Sequence, residues 1–126
     1  MSLIEIFALS VSEIIGDFAF KEFANNGGLA PLLIGFGGYV LVMCFLVISL
    51  QGSTILLVNG AWDGMSAAIE STAAYIFLGE RFHNYLQYVG LCIIILGIFL
   101  LKIPLNRKHA FYIPRINRVN ASKNPS

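Results

Sequence analysis

Apolar residues run along this chain in four long, nearly unbroken stretches, 3–20, 29–50, 55–78 and 85–103. Each approaches the roughly 20 residues that a helix needs to cross the hydrocarbon core of a bilayer. The second is the purest, with no Asp, Glu, Lys, Arg or His from Leu29 to Leu50. None shows the strict apolar–polar alternation of a barrel strand, so helices are the expected spanning form. The first stretch begins almost at Met1, lacks a basic leader and a small-residue cleavage pattern, and contains acids. It is therefore expected to be a retained helix and not a secretory signal.

The breaks carry turn chemistry. Asn25-Asn26-Gly27-Gly28, with Pro31 just beyond, closes one helix and opens the next. Gly52-Ser53-Thr54 forms a very short second connection, His83-Asn84 offers a cap for the fourth helix, and Pro104 is its expected stop. Short connections favour antiparallel neighbours. The expected fold is an all-α integral membrane protein, a four-transmembrane-helix up-down bundle over 1–103 with a polar tail over 104–126.

Composition excludes other classes. The chain has 126 residues, 57% hydrophobic and 12% charged, with a mean hydropathy of +0.78. Soluble domains carry about 25% charged residues, and one this small could not bury such an apolar excess. The net charge of +1 hides a division. Through Ile103 there are three bases and seven acids; beyond it stand Arg107, Lys108, Arg115, Arg118 and Lys123 with no acid. The tail thus reads as a solvated or headgroup-touching arm, with Phe111-Tyr112-Ile113 suited to the interface. Four spans place both termini and the second connection on one side. That side holds five Lys/Arg, or six with Lys102, against Lys21 and Arg81 opposite, so both termini are expected in the cytoplasm. There the glycosylation triplet Asn120-Ala121-Ser122 would stay unmodified. Cys44 and Cys92 fall inside spans and read as small apolar fillers. No zinc spacing, phosphate loop or nucleophile–base set is present, so neither an enzyme, a cofactor, a metal nor a nucleic-acid partner is expected.

The informative residues are acids within the spans: Glu13 and Asp17 in the first, Asp63 and Glu70 in the third. A charge at mid-bilayer costs about 2.5–3.5 kcal/mol even on lenient scales, so these side chains must be protonated, paired or turned inward. Separations of four and seven residues bring each pair to nearly one side of its helix. Asp17 precedes Lys21 by one turn, an arrangement suited to an ion pair. Glu13, near mid-span, is placed to hold a proton or a cation in turn, or to remain a protonated packing group. Asp63 and Glu70 are open to both readings, and Trp62 serves as a cation–π partner or simple packing. Gly60, Gly64, Ala67, Ser71 and Ala74 form a small-residue stripe of the kind that lets helix backbones approach.

In order and spacing these residues resemble the small multidrug resistance transporters, of the drug/metabolite transporter superfamily. Ser12-Glu13-Ile14-Ile15-Gly16 with Lys21 is similar to that family's first helix. Tyr39 falls at its second-helix Tyr, Gly60-Ala61-Trp62-Asp63-Gly64 resembles its third-helix segment, and Phe77-Leu78-Gly79-Glu80-Arg81-Phe82 its last connection. Gly90 and Gly97 match glycines that pack the family's fourth helices in a dimer. The resemblance implies a proton-coupled antiporter of small cations working as an antiparallel dimer. Glu13 would be its shared proton and substrate carboxylate, with Trp62 and Tyr39 lining the cavity.

Three features depart from that pattern. Asn59 stands where many relatives carry an aromatic residue, and Gly64-Met65-Ser66 lacks a second kink glycine. Asp17, Asp63 and Glu70 are additional acids. The uneven Lys/Arg count favours a heterodimer with a related four-helix subunit over a homodimer of opposed copies. The expected function is a transporter subunit exporting small cationic or metabolite substrates. The alternatives are a non-transporting scaffold or accessory subunit, and half of a larger lipid or metabolite carrier.

Overall fold

Three of the helices begin where a side chain satisfies a free amide. In the computed structural model, which describes residues 1–107 and 110–114, the chain forms four α-helices among those residues. Ser2 and Glu5 make a capping box that opens α1 (Leu3–Asn26): the Glu5 amide donates to the Ser2 hydroxyl and the Ser2 amide to the Glu5 carboxylate. The Thr54 hydroxyl caps α3 (Ile55–Phe77), and Asn84 with Gln87 forms a second capping box at α4 (Tyr85–Leu100). Between them α2 (Leu29–Leu50) opens at Gly28 without a side-chain cap. Gly27 and Gly28 turn the chain from α1 to α2 at φ +69° and +105°, conformations that a side chain would strain.

Two ends differ from the sequence expectation. Helix α1 runs through Lys21–Asn26 instead of ending at Phe20, because Lys21, Glu22 and Asn26 are compatible with a solvated helical turn. Asn25-Asn26, expected to form the break, is the last helical step, and Gly27 caps it by donating to the Phe23 carbonyl. At the other extreme α4 stops at Leu100, before Pro104, with Lys102 at φ +51°.

By contact the helices stand in the order α2–α1–α3–α4. Helix α1 packs most extensively on α2 and next on α3, α4 packs on α3, and α2 and α3 barely touch. At the α1–α2 crossing a Cβ on Gly38 would lie 2.8 Å from the Gly16 nitrogen and 2.9 Å from the Ser12 carbonyl oxygen. Backbone meets backbone there. The expected small-residue stripe on α3 does less: a Cβ on Gly60 would meet nothing within 4 Å, and Gly64 faces Ile94 and Ile98 of α4. Gly90 and Gly97 likewise face open space within the chain. A compact core of Ile6, Val58 and Ala61, joined by Leu46, Leu50, Trp62 and Met65, seals one end of α1–α3.

The tail is not a free arm where it is described. Pro104 accepts from the Leu3 amide at 2.8 Å, and Arg107 reaches the Ile48 and Gln51 carbonyls at 2.6 Å each. The Ile48 carbonyl already accepts the Gln51 amide at 3.3 Å, and its second lone pair is open to Arg107. Lys108, Arg115, Arg118, Lys123 and the Asn120 triplet lie outside the described residues.

Candidate functional site

Small residues on α3 let α1 come close enough for a long carboxylate to reach across. Ala61 and Ser66 are buried against the seam, and half-buried Glu13 extends from α1 toward them. One oxygen of Glu13, Oε2, accepts two hydrogen bonds: from the Trp62 indole Nε1 at 2.8 Å and from the Ser66 hydroxyl. Trp62 and Ser66 are four residues apart, one helical turn, and so form a two-pronged donor on a single face. The indole engages the carboxylate by its N–H edge, which leaves the ring face uninvolved in that bond. Ser66 was not singled out from the sequence; its position one turn after Trp62 was the available signal.

One turn along α1, Asp17 is not paired with Lys21. Its carboxylate accepts from the Tyr39 hydroxyl of α2, while Lys21 forms its ion pair with Glu80 of the α3–α4 connection, both ends about half exposed. The reason is reach. Tyr39 lies flat against Gly16, whose missing side chain admits the ring, and Phe20 flanks it with ring centroids 5.6 Å apart. Tyr39 therefore approaches Asp17 and not the Glu13–Trp62 pair that it was expected to join.

Glu70, two turns beyond Trp62, faces Asp17 across the α1–α3 seam, with Glu13 also near. Asp63 is elsewhere: it is exposed and has no hydrogen-bond or ion-pair partner among the described residues. It shares Glu70's angular position on α3, but Asp17 comes opposite at the level of Glu70. Trp62, Ser66 and Glu70 are thus brought to the α1 carboxylates, and Asp63 is not.

The three seam acids have no ion-pairing base among the described residues, since Lys21 is held by Glu80. Arg81 lies 3.6 Å above the Tyr75 ring and donates to the Tyr75 and Glu80 carbonyls. A cleft of about 280 Å³ at this end is lined by Glu70, Ser71, Tyr75, Glu80 and Arg81, so one seam acid reaches open space. A larger cleft of about 420 Å³ lies beside Gln51, Arg107 and Tyr112 at the opposite end of the helices, among residues remote from Glu13. No group of three or more His, Cys, Asp or Glu among the described residues is arranged to hold a metal ion. Cys44 and Cys92 are exposed free thiols.

Comparison with known proteins gives one distant relative. Over 92 residues, 73% of this chain and 83% of the relative, the sequence is 26% identical to a protein of Pseudomonas aeruginosa named a multidrug transporter. No family model and no solved structure matches the chain.

Proposed function

We propose that the chain is a multi-pass membrane protein, a subunit of a proton-coupled transporter that exchanges protons for small cationic or metabolite substrates at Glu13. The observation that carries this reading is the Glu13 carboxylate itself. It is held between Trp62 and Ser66 inside an apolar helical body, with Asp17 and Glu70 close by and, among the described residues, no base paired to any of the three. Such a group lowers its charge by binding a proton or a cation, and the two compete for one site. The Trp62 ring beside it supplies a surface that attracts organic cations.

The exterior supports a bilayer setting. Helix α2 is long and apolar enough to cross a membrane by itself. Its Leu33, Phe36 and Met43 and the Ile93, Leu96 and Phe99 side chains of α4 are exposed, an apolar surface too extensive for a monomer in water. Among the described residues α4 buries none of its side chains within the chain, which supports pairing with a second four-helix subunit. The distant multidrug transporter agrees with the same general role. Both termini are assigned to the cytoplasm on the Lys/Arg count.

Proteoliposomes test the reading. Purified full-length chain, alone or with its partner subunit, should drive ethidium uptake against a proton gradient. Glu13→Gln should abolish it, and Asp63→Asn should leave most of it. Undiminished exchange in Glu13→Gln would overturn the proposal.

A further inference from the structure

Helices α1 and α2 form a hairpin whose two ends are held differently. At one end Gly27 and Gly28 join the helices covalently. Near the middle the Gly16–Gly38 contact brings the backbones together, with no side chain between them to slide or compress. At the far end, where the first turn of α1 meets the last turn of α2, Leu46 and Leu50 pack against the core around Ile6, but among the described residues no covalent or backbone–backbone link holds the two helices together. Arg107 supplies the polar link between them. Its Nε lies 3.4 Å from a Glu5 carboxylate oxygen on α1, and its Nη2 donates to the Ile48 and Gln51 carbonyls at 2.6 Å each. Pro104 adds a bond from the Leu3 amide, and the Gln51 amide side chain pairs with the Tyr112 backbone in both directions, at 2.6 and 3.3 Å.

The chemistry suits a clamp. A guanidinium placed at a helix C-terminus meets the terminal carbonyls and the negative end of the helix dipole. Its planar fork serves the carboxylate and the carbonyls together, which a lysine ammonium could not reproduce. Both Arg107 and Glu5 are largely buried, with side chains 15% and 14% exposed. Arg107 Nη1 is buried too and meets no acceptor among the described residues, so the closed clamp retains an unmet donor that release into water would satisfy.

We propose that Arg107 is a latch: the chain after α4 straps the open end of the α1–α2 hairpin shut, and its release lets the two helices part about the Gly16–Gly38 contact. The latch is independent of the transport reading and can fail or hold whatever becomes of Glu13.

Thiol labelling of the full chain tests it, with Cys44 and Cys92 replaced by Ser. Ser49, fully buried one residue beyond Ile48, becomes the reporter as Ser49→Cys; Ser12, buried at the helix crossing, becomes the control as Ser12→Cys. With Arg107 intact both should resist a water-soluble maleimide. Arg107→Gln should raise the labelling rate of Ser49→Cys at least tenfold and leave that of Ser12→Cys unchanged, with Arg107→Lys only partly protective. Hydrogen exchange at the amides of residues 46–51, with no thiol introduced, should accelerate likewise in Arg107→Gln. Unchanged rates at the strapped end, or an equal rise at Ser12→Cys, would overturn the latch.

Discussion

Glu13 receives two donors on one oxygen, and the energetic weight of each sets what its loss should do. A hydrogen bond to a charged group contributes about 1.5–3 kcal/mol. Trp62→Phe keeps the ring and deletes the N–H, so it should lower stability by about that amount in detergent unfolding, as should Ser66→Ala. Because Trp62 is the sole tryptophan, its fluorescence reports directly on the carboxylate. Glu13→Gln should alter its emission, whereas Asp63→Asn should leave both emission and stability unchanged to within about 0.5 kcal/mol. At this scale the sequence was partly legible. Glu13 and Trp62 were each marked, the latter for its ring face; that the indole N–H donates to Glu13 emerges only from the fold. The partner of Asp17 did not follow, because the rule of acid before base one turn apart weighs only neighbours on one helix. Tyr39 comes from another helix, admitted by the absence of a side chain at Gly16. Spacing also made Asp63 and Glu70 equivalent; only the placement of α1 distinguishes them.

Among the elements, the α1–α2 crossing is the tightest joint and the most sensitive to substitution. Gly38→Ala would force its methyl within 2.9 Å of three backbone atoms of α1. Overpacking of that kind costs about 1–3 kcal/mol, and backbone cannot rotate away as a side chain can. By contrast Gly60→Ala enters open space, and relief of glycine's helical penalty should stabilise α3 by up to about 1 kcal/mol. Thermal unfolding of the two variants side by side checks the contrast. The exposed Lys21–Glu80 pair should be worth under about 1 kcal/mol by a double-mutant cycle. Helix positions were legible because long apolar runs, capping residues and glycine turns all act locally. Which glycines serve as contacts was not. A small-residue stripe shows where a helix can be approached, and the partner's placement decides where it is. The strap was hidden for the same reason: a basic tail suggests solvation, and the cluster of α2-terminal carbonyls and Glu5 that Arg107 meets is a feature of the folded hairpin.

For the molecule as a whole, the acids of the helical body and Arg107 of the basic tail acquire places. Glu13, Asp17 and Glu70, with no base paired to them among the described residues, line the α1–α3 seam and open through Glu70 toward one end, while Arg107 closes the hairpin at the other. The α2 and α4 surfaces face outward with apolar side chains, which accords with a bilayer and a neighbouring subunit. If both termini lie on one side, a tag at the C-terminus should be cleaved only from the cytoplasmic face in intact cells. Cleavage from both faces would indicate copies inserted in opposed directions. The central claim, that a proton and a cation exchange at Glu13, is tested most directly by proton release from the purified full-length chain in weakly buffered detergent solution. Adding ethidium should release protons from the wild-type chain, and Glu13→Gln should bind without release or not bind at all. Release from Glu13→Gln equal to that of the wild type would contradict the account.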